Sequence, residues 1–277
     1  MRSWIAIPTL GAACAGAAAG LAALHATAVI DWVLVVATGL CGAAITAAIR
    51  ALAGDSLASL VAMVLAPLLA IATMLELGIA TTHELIAIAA AAWTCVELSR
   101  PSTSPLVALL PAVVAGVLDT AFAPMAPIAA ARVMTAPWQR PRWAIAVPIA
   151  GVIGFVVRVG VYLSAQQQHG SDVAAYFAQV ASALGPLMAT VALVGLVWLV
   201  RPRHAEIALS ASIAAACIIG VRSGVVTPPI VALAALSSGL AIGRFAALLR
   251  LAPGQAFVGV TAGTLLLLAP VWSVIVR

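Results

Sequence analysis

The sequence predicts an all-α fold, a polytopic bundle of transmembrane helices with a broken or re-entrant pair at residues 105–134. Of its 277 residues, 65% are hydrophobic and only 8% are charged, whereas soluble domains carry about 25% charged residues. Every basic side chain is an arginine, and the arginines stand in short clusters between long apolar runs. A chain of this composition has too few polar residues to cover the surface of a soluble fold.

Apolar runs with the length of a membrane span recur along the chain. About 20 helical residues cross the hydrocarbon core of a bilayer, and on that scale we expect about 11 membrane segments. The first begins at Trp4, the second ends at Arg50, and the last runs from about residue 255 to residue 276. No polar stretch is long enough to fold by itself. Residues 1–277 are therefore expected to form a single integral membrane domain.

The run at residues 105–134 is too long for one ordinary span and carries a single carboxylate, Asp119, near its centre. Pro111, Pro124 and Pro127 interrupt its helical pattern. Arginines flank the run on both sides, and their preference for the cytoplasmic side is satisfied only if the run enters the membrane and returns. We therefore expect two short half-helices that meet near Asp119.

A broken helix with an intramembrane charge is typical of a substrate or ion site. Arg158 is a second charge within an apolar run. Asp119 lies 14 residues after Pro105, and Arg158 lies 15 residues after Trp143, so both rise about 21 to 23 Å from the inner face. We expect these two side chains to form a buried pair. Glu76, near the outer end of the third segment, is a further candidate for substrate binding or coupling.

These features predict a transporter-like protein that moves a small solute or an ion. A non-catalytic membrane subunit of a larger complex would have the same composition, and Asp119 and Arg158 would then only hold helices together. A membrane enzyme acting on a lipid-linked substrate at the outer face is a third alternative, because Glu76, Asp31 and Asp172 fall on the predicted outer side. The sequence contains no phosphate-binding loop, dinucleotide fingerprint or GxSxG motif, which makes catalysis the less favoured alternative.

The sequence predicts no cofactor and no metal site. His83 and Glu84 lack the second histidine of an HExxH zinc motif. Glu84 is instead expected in the first turn of a helix capped by Thr82. The four histidines fall at segment ends or in loops, where they cannot hold a haem between helices. The four cysteines stand singly in apolar runs, as buried small side chains do.

The predicted partners are the lipid bilayer and an unidentified small molecule or ion. GxxxG pairs at Gly16/Gly20 and Gly239/Gly243 allow close helix approach, and they are candidate contacts with a second copy or a complex partner. The tryptophans among the arginines of residues 132–143 fit lipid headgroups better than nucleic acid. The arginine distribution predicts a multi-pass protein of the plasma (inner) membrane, with the amino terminus in the cytoplasm and the carboxyl terminus outside.

Overall fold

The chain folds as a bundle of helices. Its computed structural model describes residues 32–54, 66–67, 70–71, 73–74, 77–79, 81–100, 105–135, 149, 156–157, 160, 172–199 and 203–248. The helices in this part of the chain are α1 (Trp32–Ala53), α2 (Thr82–Ser99), α3 (Pro105–Leu118), α4 (Met125–Thr135), α5 (Val173–Leu184), α6 (Pro186–Trp198), α7 (His204–Ser223) and α8 (Pro228–Leu248), with a 3-10 turn at Thr120–Phe122 between α3 and α4. The described residues contain no strand, and the predicted all-α class is confirmed.

Three of the described helices are long and apolar enough to cross a membrane, namely α1, α7 and the Pro228–Phe245 part of α8. Helices α5 and α6 add a fourth span if the bent pair is taken as one. These helices fit the predicted transmembrane bundle by length and composition. The predicted first and last segments lie outside the described residues, and the third and seventh are described only at scattered positions. The expected total of about 11 segments stays a prediction.

The outer surface of the bundle carries apolar side chains at helical spacing. Val33, Val36 and Leu40 are exposed along α1, and Leu110 and Val117 along α3. Residues three, four or seven positions apart lie on one face of a helix. Continuous apolar faces that are exposed to water promote aggregation. In a membrane the same faces contact lipid tails, which are as apolar as the side chains. These faces therefore fit the hydrocarbon core of a bilayer.

Small residues bring α8 into close contact with α1. A Cβ atom added to Gly239 of α8 would lie 2.5 Å from Cδ1 of Ile49 in α1. Gly243 is buried as well. The predicted GxxxG face of α8 therefore packs within the chain, and Gly239 is not open to a second copy. Gly16 and Gly20, the other predicted contact, lie outside the described residues.

Helices α6 and α8 form an equally close pair. The Ser237 Oγ of α8 donates a hydrogen bond of 2.7 Å to the carbonyl oxygen of Ala192, and Ser238 Oγ donates one of 3.5 Å to the carbonyl oxygen of Met188. A Cβ atom on Gly195 would clash with the backbone oxygen of Ser237. Small residues and interhelical hydrogen bonds are the usual means of holding helices together in lipid.

Replacing Gly195 with alanine should force α6 away from α8. The neighbouring atom is a backbone oxygen, which cannot rotate aside, so we expect a loss of about 1 to 3 kcal/mol in the free energy of unfolding. Unfolding of the purified variant in detergent would measure it. Gly160→Ala is the matched control, because a Cβ there meets no atom within 4 Å. Equal stability of the two variants would contradict the close α6–α8 contact.

The chain turns sharply between α5 and α6. Asp172 caps the start of α5, where its Oδ1 accepts a hydrogen bond of 3.1 Å from the backbone N–H of Ala174. At the other end, Gly185 has a φ of 75°, which favours glycine, and Pro186 begins α6. The two helix axes differ in direction by 112°. The apolar run that forms α5 and α6 is thus bent between the two helices.

The first turn of α2 is closed by a capping box. The backbone N–H of Thr81 donates a 3.0 Å hydrogen bond to Oε2 of Glu84, and the Thr81 side chain caps the turn in return. The prediction of Thr82 as the cap is wrong by one residue, because Glu84 reaches back three positions to the N-cap, as this motif requires.

Candidate functional site

The apolar run at residues 105–134 is interrupted where the sequence predicts it. Helix α3 ends at Leu118, Asp119 has an extended backbone with φ −139° and ψ 128°, and α4 begins at Met125. The predicted pair of half-helices is therefore present. At about 21 Å, the 14 residues of α3 are shorter than the hydrocarbon core, which is about 30 Å thick.

The three prolines that follow Pro105 in this run have different roles. Pro111 lies inside α3 without ending it, although it removes one backbone hydrogen bond. Pro127 lies in the first turn of α4, where the missing N–H would have no partner in the helix. Only Pro124 falls between the two helices. The break at Asp119 thus depends on more than proline placement.

Asp119 shapes the turn that follows it. Its Oδ1 accepts a hydrogen bond of 2.8 Å from the backbone N–H of Ala121, and its own N–H donates to the carbonyl oxygen of Ala115 at 2.9 Å. The carboxylate is the N-cap of the 3-10 turn, a position that favours aspartate. Asp119 is half-buried. One carboxylate oxygen is thus engaged by the backbone of its own turn.

The turn after Asp119 is buried in the bundle. Ala121, Phe122 and Ala123 are almost completely shielded from solvent, and the turn packs against α7. A Cβ atom on Gly116 would lie 3.0 Å from Cα of Ala123, so glycine lets the end of α3 touch the turn. Irregular backbone at membrane depth needs surrounding protein of this kind.

The α3–α4 hairpin begins and ends at the same end of the bundle. Helix α3 begins five residues after Arg100, at the end of α2. In the last turn of α4, Arg132 lies close enough to His204 for its charge to act on the imidazole. His204 is the first residue of α7, and α7 packs against both α2 and α4.

Arginines concentrate at this end of the bundle, which we call the basic end. Helices α1, α2, α4 and α8 end there, and α7 begins there. Five of the six arginines in the described residues belong to it, namely Arg50, Arg100, Arg132, Arg203 and Arg244. Arg222, in the last turn of α7, stands at the opposite end. The two ends of the bundle therefore differ strongly in charge.

The other predicted site residues, Arg158 and Glu76, lie outside the described residues. The expected pair of Asp119 and Arg158 therefore stays a prediction, as does the role of Glu76.

The structure adds an ion pair that the sequence reading missed. Nη2 of Arg244 in α8 lies 3.7 Å from Oε1 of Glu206 in α7, and it also donates a 2.7 Å hydrogen bond to the carbonyl oxygen of Leu52 in α1. The Glu206 side chain is 1% exposed and that of Arg244 is 16% exposed. One guanidinium thus ties the ends of three helices together at the basic end.

A second acid is buried at the basic end. Oε1 of Glu97 in α2 lies 3.1 Å from Nη1 of Arg100, the residue that follows α2. The Glu97 side chain is 2% exposed, whereas that of Arg100 is 54% exposed. Cys95, two residues before Glu97 on α2, is fully buried and lies within reach of the charge of Glu206. Two buried carboxylates, Glu97 and Glu206, therefore lie at the basic end.

The sequence contains a signal for the Glu206–Arg244 pair. Helices α7 and α8 form a hairpin around Gly224, whose φ of 67° suits a glycine cap. Glu206 lies 18 residues before Gly224, and Arg244 lies 20 residues after it. Counting residues from the turn therefore puts the two charges at similar depths on adjacent helices. The same kind of count predicts the pairing of Asp119 with Arg158, although those two residues lie in separate segments.

An apolar cavity of about 350 Å³ lies between α5, α6, α7 and α8. Phe177, Leu193, Ile213 and Leu233 are among its lining residues, and its wall is almost entirely apolar. A hydrocarbon group fits such a wall, whereas a polar solute would leave its hydrogen bonds unmade. The polar clusters at Asp119 and at Glu206 are therefore the better candidates for a polar ligand.

In the described part of the chain, no group of three or more His, Cys, Asp or Glu side chains could hold a metal ion. Glu84, beside His83, is engaged in the capping box of α2. No protein-family model, curated protein or solved structure matches this chain.

Proposed function

We propose that this chain is a multi-pass membrane transporter that moves a small solute or an ion, and that Asp119 belongs to its site. The observation that carries the proposal is the α3–α4 hairpin, which leaves and returns to the basic end and carries a carboxylate at a break packed against α7. Broken helices with a charge inside the membrane are the usual architecture of solute and ion sites in transporters.

We further propose that the basic end faces the cytoplasm. Arginines near the ends of membrane segments prefer the cytoplasmic side, and five of the described arginines lie at that end. With about 11 segments, the amino terminus would then be cytoplasmic and the carboxyl terminus outside, in an inner membrane. The α3–α4 hairpin would be re-entrant from the cytoplasm.

Within the proposed site, Asp119 would pair with Arg158 or share one polar cavity with it. A lone charge at the centre of a membrane helix costs about 2.5 to 3.5 kcal/mol on insertion scales, and pairing removes much of that penalty. Glu76 would serve in substrate binding or coupling near the outer side.

The alternative, a membrane subunit of a larger complex, differs in one respect. Asp119 would then hold helices together, and no solute would cross the membrane.

Asp119→Asn is the test of this function. Asparagine caps a turn nearly as well as aspartate, so the 3-10 turn should keep its cap while the charge is lost. Proteoliposomes would be screened for uptake of radiolabelled amino acids, sugars, organic anions and inorganic cations, with and without an imposed proton gradient. We expect uptake of at least one solute by the unmodified protein, and a loss of about 10-fold or more in Asp119→Asn, the scale of one missing charge contact of about 1.4 kcal/mol.

Asp172→Asn is the matched control, because Asp172 also accepts a hydrogen bond from the N–H two residues ahead but lies exposed at the start of α5. It should keep full uptake. If no solute enters the proteoliposomes, or if both variants transport equally, Asp119 is not part of a transport site.

A further inference from the structure

Two glutamates occupy the third position of a helix, and their side chains behave differently. Glu84 lies three residues after the N-cap of α2, Thr81, and folds back to accept its N–H. Glu206 lies three residues after the N-cap of α7, Arg203, but its carboxylate oxygens are buried and accept no hydrogen bond from any described residue. Capping therefore does not explain the position of the Glu206 side chain.

The buried carboxylate of Glu206 has no hydrogen-bond partner among the described residues. A buried carboxylate needs hydrogen bonds or a close counter-charge, or it takes up a proton and becomes neutral. Among the described residues, Arg244 is the cation paired with it, with Nη2 at 3.7 Å from Oε1, and the same Nη2 donates to the Leu52 carbonyl at 2.7 Å. Glu206 is thus placed where gaining or losing one proton decides whether Arg244 keeps its ionic contact with α7.

We propose that Glu206 is a proton-binding site, and that its protonation releases the Arg244 tie between α1, α7 and α8. In the ionised form the carboxylate attracts the guanidinium. When a proton binds from the basic end, the carboxylate becomes a neutral carboxylic acid, and the positive charge of Arg244 loses its partner on α7. The three helix ends are then free to separate.

Other charged or titratable groups surround Glu206 on the helices that pack against α7. Helix α2 contributes Cys95 and Glu97, the latter paired with Arg100. Helix α4 contributes Arg132, close to His204 of α7 itself, and α8 contributes Arg244.

Among the described residues, the 3-10 turn and α5, which also pack against α7, carry no charged or titratable group at the Glu206 end. The 3-10 turn carries Asp119 at its cap, and the first turn of α7 is separated from it by the length of α4. Tyr176 of α5 lies against Gly220, at the far end of α7. Glu97 is therefore the acid whose titration must be separated from that of Glu206.

In the proposed transporter, the proton bound by Glu206 is the coupling ion, and only this coupling role rests on the proposed function. A proton that opens the basic end would link the proton gradient to access from that side. Proton binding and helix release are properties of the protein alone. Both are measured without a transported solute.

Infrared spectroscopy of the purified protein tests the proton site. On acidification, the unmodified protein should gain a C=O band of a buried carboxylic acid. Glu206→Gln should lack that band, whereas Glu97→Gln and the capping variant Glu84→Gln should keep it. Glu206→Asp, which retains a carboxyl group, should show the band, and this variant serves if Glu206→Gln does not fold.

Hydrogen–deuterium exchange tests the release. Glutamine imitates the protonated acid, so at one alkaline pH the last turns of α1 and α8 should exchange about 10-fold faster in Glu206→Gln than in Glu84→Gln, a change of about 1.4 kcal/mol in local opening. The unmodified protein should show the same acceleration at acidic pH after correction for the chemical exchange rate. A titrating band that persists in Glu206→Gln, or unchanged exchange at both helix ends, would overturn the proposal even if solute uptake is observed.

Discussion

Replacing Arg244 with glutamine is expected to lower the free energy of unfolding by about 3 to 5 kcal/mol, the loss seen when one partner of a buried ion pair is removed. The substitution leaves the buried Glu206 carboxylate without its cation and removes the hydrogen bond to the Leu52 carbonyl. It also removes the Arg244 contacts that join α8 to the end of α1 and to the start of α7. Chemical unfolding of the purified protein in detergent would measure the loss.

Arg222→Gln is the matched control for this experiment. Arg222 lies in the last turn of α7 and is exposed, so its loss should change stability by about 0.5 kcal/mol or less. The double variant with Glu206→Gln and Arg244→Gln should regain part of the lost stability, because no charge is then left buried. If Arg244→Gln is as stable as Arg222→Gln, the pair does not hold the basic end together.

Replacing Phe122 with alanine is expected to cost about 3 kcal/mol and to displace the turn that carries Asp119. Phe122 is 1% exposed and lies in the 3-10 turn that packs against α7. This loss is near the lower end of the range for truncating a buried phenylalanine. In the unfolded state the side chain would be surrounded by lipid, which is also apolar, so the variant loses only packing contacts. Unfolding in detergent would give the stability, and solute uptake would report on the turn.

Phe245→Ala is the control for Phe122→Ala. Phe245 is also on a helix but is 54% exposed, so its removal should leave no cavity and little change in stability. A Phe122→Ala variant that equals Phe245→Ala in stability would mean that the turn is not anchored in the bundle. If Phe122→Ala is destabilised but transports normally, the turn does not contribute to the solute site.

The sequence predicts local features of this chain well, because their causes are local. Arg50 and Arg100 follow apolar runs and lie at the ends of α1 and α2, as the spacing indicates. The break after α3 is marked by a carboxylate and a nearby proline, Pro124, and the bend before α6 by Gly185. In each case the backbone conformation follows from side chains within a few residues.

Contacts between distant segments are less accessible to sequence reasoning. The hydrogen bond from Arg244 to the Leu52 carbonyl joins residues 192 positions apart, and no local pattern indicates it. The GxxxG motif at Gly239 signals close approach but does not identify the partner, which is α1 of the same chain. The sequence indicates that Glu206 is an acid in the first turn of a helix. Its burial, however, depends on how α2, α7 and α8 pack against one another.

The most direct test of the account is the side of the membrane from which single cysteines react with an impermeant maleimide, in a chain whose native cysteines are replaced with alanine. The reporters are Gln139, which follows α4, Arg203 at the basic end, and Val225, which is exposed at the opposite end. We predict that cysteines at positions 139 and 203 react from the cytoplasmic side and that a cysteine at position 225 reacts from outside. A cysteine at position 139 that reacts from the same side as position 225 would mean that residues 105–134 cross the membrane once, and it would contradict the hairpin on which the proposed site depends.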